Sequence, residues 1–247
     1  MDRAESASAT SKISVLTACV AIAASVAGLV LLLSLHLLSP EFSPAWRMIS
    51  EYANGQYSWV LSLMFAAYGL SSLTLALAIR SEATTRRSRL GLVLLTLSGI
   101  GQASAAWFDL NQAALHELAG VVGILCLPLA AMLISPTLAG MPRWAAARKP
   151  LLVTANLTWV SVVLWVGTFV LMIATFLQTP GGLPPTPPEN LPAGVIALVG
   201  WTNRLFVISA WMWVATVAWH AIKLHNNLRK ASRQWTSVSS GAASTSF

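Results

Sequence analysis

The stretch Ile13–Leu38 reads ISVLTACVAIAASVAGLVLLLSLHLL and holds no Asp, Glu, Lys or Arg. A helix needs about 20 apolar residues to cross the hydrocarbon core of a bilayer, so this run is long enough to span. It is much longer than the apolar centre of a cleavable signal, about 7–15 residues, and it lacks a small-residue exit site. It is expected to remain as a first membrane span. Ser39-Pro40 ends it, because proline has no amide hydrogen and restricts the residue before it.

The same pattern recurs along the chain. Further spans are expected at about Ser58–Ile79, Leu90–Phe108, Leu115–Leu138 and Leu151–Leu177. A sixth ends near Ile222, with two readings of its start: a long helix opened by Pro192, or a span beginning near Asn203 after a surface segment. The 247 residues are 56% hydrophobic and 9% charged, against roughly 25% charged in a soluble domain. Lipid offers no partner for backbone polar groups, so each span must satisfy its own. The expected fold is all-α, a polytopic bundle of six transmembrane helices over residues 13–222. A polar segment, 1–12, precedes it, and a basic tail, 223–247, expected to be largely disordered, follows. No internal repeat stands out, although the chain divides into three helical hairpins.

Charge sets the expected orientation. Of the 15 Lys and Arg residues, 13 lie in the N-terminal segment, the second and fourth connections and the C-terminal tail. The other side holds Arg47, with Arg204 near or inside the last span. Positive residues favour the cytoplasmic side, so both termini are expected in the cytoplasm and the protein in the cell membrane. The same rule accounts for the net charge of +7. No nucleic-acid partner is expected, because no basic and aromatic motif is interleaved on a soluble domain.

Several chemistries lack their signatures. Cys19 and Cys126 stand inside apolar runs without a CxxC and are expected as buried free thiols. No HExxH or paired-histidine spacing is present, so neither a metal site nor a cofactor is expected. The absence of G-x-S-x-G, P-loop and GxGxxG patterns argues against nucleotide chemistry.

Two loops carry structure of their own. SPAWRMISEYANG, Ser43–Gly55, reads as a short interfacial helix capped by Ser43, with Pro44 in its first turn and Gly55 at its stop. Arg47 and Glu51 are four apart and can pair. QTPGGLPPTPPENLPAG, Gln178–Gly194, is expected to be extended and partly polyproline II.

Small and polar residues form stripes at helical spacing. The fifth span gives Thr154, Thr158, Ser161, Trp165, Thr168, Met172 and Thr175; the third gives Ser98, Gln102, Ala105 and Asp109. Ser58, Ser62, Phe65, Gly69 and Ser72 align on the second, and His116, Gly120 and Gly123 on the fourth. Close helix packing accounts for such stripes; the other reading is a polar seam toward a cavity or a path.

Five of the eight acidic residues, Glu41, Glu51, Asp109, Glu117 and Glu189, fall on or near the side away from the termini. His36, His116, Asn203 and Arg204 belong to the same ends. Ionisable groups at membrane depth persist when paired, hydrated or used. In one reading Arg204 pairs with Glu117 or Asp109, and His116 caps the fourth helix. In the other, Glu51, Asp109, His116, Glu117 and Arg204 line an outward-facing pocket for a lipid headgroup or a small ligand. Ser50, Asp109 and His116 also supply the residue types of a membrane-embedded hydrolase or transferase. The fifth-span stripe motivates a small transporter, without the broken helices or inverted repeat such folds use.

The motifs ISEYANG (Ile49–Gly55), FAAYGL (Phe65–Leu70), FDLN (Phe108–Asn111) and LHELAG (Leu115–Gly120) resemble the bacterial membrane family called domain of unknown function 998. The resemblance covers roughly Ile13–Ile222. It implies a bacterial inner-membrane protein, with Ser50, Glu51, Asp109 and His116 as the positions carried over. The family usually has leucine where this chain has Tyr52, and often a proline near Asp109 that is missing here. Its name assigns no activity. The expected partners are membrane lipids, with a small ligand or a membrane-protein partner at the outer cluster.

Overall fold

The computed structural model describes residues 2–108, 112–183, 188 and 190–243. Among them the regular structure is helical, with no strand. Six long helices follow in order: α1 Asp2–Leu38, α2 Ser58–Ile79, α3 Arg86–Ala105, α4 Ala113–Ala139, α5 Arg148–Phe176 and α6 Val199–Ala243. Short 3-10 turns occupy Ile49–Asn54, Arg80–Glu82 and Pro142–Ala147. Five helices, α1, α2, α4, α5 and α6, are long and apolar enough to cross a membrane. The third is not among them. Arg86, Arg87 and Arg89 occupy its first turns, and Gln102 and small residues its last, which leaves a short apolar centre.

The expected boundaries of α2, α4 and α5 fall within a few residues of those observed. The last helix starts at Val199, between the two anticipated points. Pro192 and Gly194 are followed by irregular chain, and the helix begins where Gly200 meets the first distal loop. It continues past Lys223 to Ala243, through a segment without proline that mixes helix formers such as Leu, Arg and Ala with serine. Helix α1 likewise begins at Asp2, ahead of the apolar run. Of the segment expected as a short interfacial helix, Ile49–Asn54 forms the 3-10 turn, stopped at Gly55, and the residues before it form turns. Part of the proline-rich loop, 184–187 and 189, lies outside the described residues.

Each helix packs antiparallel on its sequence neighbours, and α6 closes the ring on α1. The termini therefore share one end of the bundle, here called proximal; the opposite end is distal. Close approach depends on small residues. A Cβ at Gly69 would lie 2.7 Å from the Gly99 carbonyl oxygen of α3, and one at Gly101 would lie 2.7 Å from both the Ala119 oxygen and the Gly123 nitrogen of α4. Ser98 Oγ donates to the Gly123 carbonyl at 2.7 Å across the same seam.

The polar stripe of α5 holds α5 to α6. Ser161 and Ser209 hydroxyls meet at 2.9 Å, and Thr168 and Thr202 at 2.7 Å. Thr154 and Thr158 turn their hydroxyls onto carbonyls of their own helix. Pro136 inside α4 cannot donate to the Met132 carbonyl, and Arg87 supplies the missing donor at 3.0 Å.

The proximal half of the interior is filled by large side chains, including Leu75, Leu95, Leu127, Ile134 and Trp213. Trp213 Nε1 donates to Ser135 Oγ at 2.9 Å, which ties α6 to α4 there. At the proximal rim, buried Glu82 pairs with Arg143 at 2.9 Å and accepts the Trp144 indole N–H at 2.8 Å. That contact joins the second connection to the fourth. Cys19 and Cys126 are free, as expected, but not buried: Cys19 is exposed on the bundle's flank and Cys126 is half-buried. In the distal half, α4 stands away from α6, and the interior opens.

Candidate functional site

Two features built on the same loop occupy the distal half: a polar knot and a cavity. Arg204 is the centre of the knot. It sits one turn into α6 and is 3% exposed. Its Nε donates to His36 Nε2 at 2.7 Å, and Nη1 donates to the Arg47 and Gly200 carbonyls at 2.8 and 3.0 Å. Nη2 donates to the Tyr52 hydroxyl at 3.2 Å. A guanidinium has donors only, so His36 Nε2 must be an acceptor. The His36 proton then lies on Nδ1, which donates to the Leu32 carbonyl at 2.7 Å.

Arg204 does not pair with Glu117, one of its two expected partners. Among the described residues the ion pairs are Arg47–Glu51 and Glu82–Arg143, and neither involves Arg204. Glu51 is occupied by its own loop. It accepts from Arg47 at 2.7 Å and from the Met48 backbone N–H at 2.7 Å. Glu117 is exposed, and Asp109 lies outside the described residues, as does Glu189. Charge-assisted bonds to carbonyls, imidazole and phenol hold the buried guanidinium instead.

The knot seats the distal loop on α6. Asn203 Oδ1 accepts the Ile49 N–H at 3.0 Å, and the Gly200 N–H donates to the Ala45 carbonyl at 3.0 Å. Any side chain at Gly200 would strike the backbone of residues 44–47. Arg47 also donates to the Pro188 carbonyl at 2.7 Å, which ties in the proline-rich loop. With its first amides taken by Glu51 and Asn203, the Ile49–Asn54 segment is fixed as a tight turn. Met48, Ile49 and Ser50 form one wall of the cavity.

The cavity has a volume of about 520 Å³ and lies between α2, α3, α4, α5, α6 and that loop. Ser50, His116, Glu117 and Asn203 supply polar groups, and Phe65, Val121, Phe169 and Phe206 are among its apolar walls. Of the residues predicted from sequence, Ser50, His116 and Glu117 line this space together. Glu51 and Arg204 do not line it; they hold the wall behind it. His116 does not cap α4. Its Nδ1 donates to the Phe108 carbonyl at 2.7 Å, and its ring meets Phe65 edge-on at 6.3 Å. A neutral imidazole so held keeps Nε2 as an acceptor. Among the described residues no group of three His, Cys, Asp or Glu is placed to hold a metal.

Two further lining residues carry polar groups, Tyr68 and, from the fifth-span stripe, Trp165. Among the described residues the Tyr68 hydroxyl and the Trp165 indole N–H are buried without a hydrogen-bond partner, and both residues line the cavity. Tyr68 is 1% exposed. A signal existed in the sequence: a tyrosine in the middle of an apolar span must find a partner for its hydroxyl. Ser39, Ser72 and Trp211 also bury unpartnered atoms, but none of them lines the cavity. The mouth includes Val121 and Val166, 54% and 48% exposed on the flanks of α4 and α5.

Comparison with curated proteins and with solved structures returned no match. A family match covers residues 22–220, which takes in every residue of the knot and the cavity. The chain belongs to the family described as Protein of unknown function (DUF998).

Proposed function

We propose that this membrane protein binds an amphiphile, its polar end held in the distal cavity and its apolar part leaving between α4 and α5. The observation that carries the reading is a cavity of ligand size, polar at one end and apolar along its walls, whose mouth includes half-exposed valines on two helices apolar enough to span. His116 Nε2 offers an acceptor, Ser50 a hydroxyl and Glu117 a carboxylate. No Lys or Arg is among the lining residues. That set suits a neutral or cationic head better than an anionic one.

The membrane setting belongs to the same proposal. In it, α3 is a sixth crossing, sheltered between α2 and α4, and the distal end faces outward from the cell membrane. The clustering of basic residues at the proximal end supports both termini in the cytoplasm. On this frame the cavity opens toward the outer half of the bilayer.

A second reading keeps Ser50 and His116 as a nucleophile and base acting on a bound headgroup, because both line one cavity. Asp109 would complete the set, outside the described residues. A transporter has no comparable support, since the α5 hydroxyls are engaged with α6 and with their own helix.

Gly120 supplies the test. It lines the cavity, and a Cβ there would meet nothing within 4 Å. Gly120→Leu should therefore fold and fill the space. Native mass spectrometry of the protein purified from membranes should show a retained lipid-sized adduct that Gly120→Leu loses. An adduct unchanged in the variant would place any bound lipid elsewhere and end the proposal. Ser50→Ala that keeps the adduct but abolishes its turnover would favour the enzymatic reading.

A further inference from the structure

The two orphaned donors say more about the occupant, given the amphiphile site just proposed. We infer that Tyr68 and Trp165 hydrogen-bond a carbonyl oxygen on the bound molecule, so that the site selects ester-linked lipids over ether-linked ones.

Phe65, which meets the His116 ring, is three residues before Tyr68 on α2; one such step is about 4.5 Å along the helix axis. Tyr68 thus lies about one turn deeper than His116. On the far wall, the Thr168–Thr202 and Ser161–Ser209 contacts fix the register of α5 against α6. Trp165 falls between those contacts, level with the stretch just before Phe206 and about 3 Å, or half a turn, deeper than Asn203. Both orphans therefore sit below the level of His116 and Asn203, Tyr68 by about 4.5 Å and Trp165 by about 3 Å.

An indole N–H only donates, and a phenol hydroxyl donates readily. Burying either donor without an acceptor costs free energy that a partner recovers. A purely hydrocarbon tail would leave both unsatisfied. A lipid whose head lies among Ser50, His116 and Glu117 places its ester carbonyls at the next level down, with hydrocarbon beyond them. An ether-linked lipid of the same head and chains has no carbonyl at that level, and its ether oxygens are weaker acceptors.

The experiment uses the full chain, delipidated in detergent and titrated with diacyl phosphatidylethanolamine or its dialkyl ether analogue of equal chain length. Occupancy is read by native mass spectrometry. The wild type should prefer the diacyl form about tenfold, the range of one buried hydrogen bond. Tyr68→Phe and Trp165→Phe keep an aromatic ring in place; each should weaken diacyl binding and leave ether binding unchanged. Equal binding of the two lipids by the wild type overturns this inference while leaving the cavity reading intact. So does a preference that survives in the double variant. Failure of both lipids to bind, with Gly120→Leu indistinguishable from wild type, sinks the cavity reading itself.

Discussion

Arg204 ties together the distal half of this protein, and among the described residues no carboxylate pairs with it. Its guanidinium reaches α1 through His36, the distal loop through Tyr52 and the Arg47 carbonyl, and its own helix through Gly200. Replacing it with alanine strands several buried acceptors at once, so Arg204→Ala should lower stability by about 3 kcal/mol. Arg204→Lys keeps the charge but offers one compact ammonium in place of a planar fork. It should recover only a minor part of the loss when thermal unfolding is followed in detergent. The sequence pointed to Arg204 as a residue that must be satisfied, but Glu117, one of the partners it suggested, is exposed and not paired with it. Opposite charges are visible in a sequence, whereas the carbonyls and neutral rings that a folded loop presents are not. Trp165 stood in the fifth-span stripe and Tyr68 in the middle of an apolar span; that both lack a partner among the described residues follows only from the packing around them.

At the scale of elements, helix spacing is set by where glycine faces backbone and where it faces space. A methyl at Gly101 would collide with α4 backbone, and one at Gly120 would not. Gly101→Ala should therefore destabilise by about 1–3 kcal/mol through overpacking. Gly120→Ala should stabilise by up to about 1 kcal/mol through helix propensity alone. Opposite shifts of the melting temperature in the two variants check the assignment. Near the proximal rim, Glu82→Ala strands the Trp144 indole and should cost about 1–3 kcal/mol. Glu82→Gln keeps an acceptor for Trp144 and loses only an ion pair with half-exposed Arg143, worth at most about 1 kcal/mol. Helix bounds were legible because apolar runs end at proline and arginine. The Glu82 link was not, because it joins residues 62 apart in the chain.

For the whole molecule, antiparallel packing from α1 round to α6 brings both termini to one end and leaves the distal interior unfilled. The proposed orientation makes a definite prediction for reporter fusions. Fusions in the Arg86 connection and in the Arg143 connection should report the same side as the termini. Fusions in the Ser43–Gly55 loop and near Thr179 should report the other. The third helix is decisive here, since its composition alone leaves it short of a span while its packing between α2 and α4 supports a full crossing.

The central claim is that lipid enters the distal cavity instead of merely coating the bundle. Its most direct measurement is photo-crosslinking in reconstituted membranes, with a phospholipid carrying a diazirine near the start of one acyl chain. Labelled positions are then mapped by peptide mass spectrometry. The account predicts label concentrated on cavity residues such as Val121, Val166 and Phe169, and removed by Gly120→Leu. Label spread evenly over outward-facing positions such as Leu33, Leu77 and Val93, and indifferent to that substitution, would contradict it.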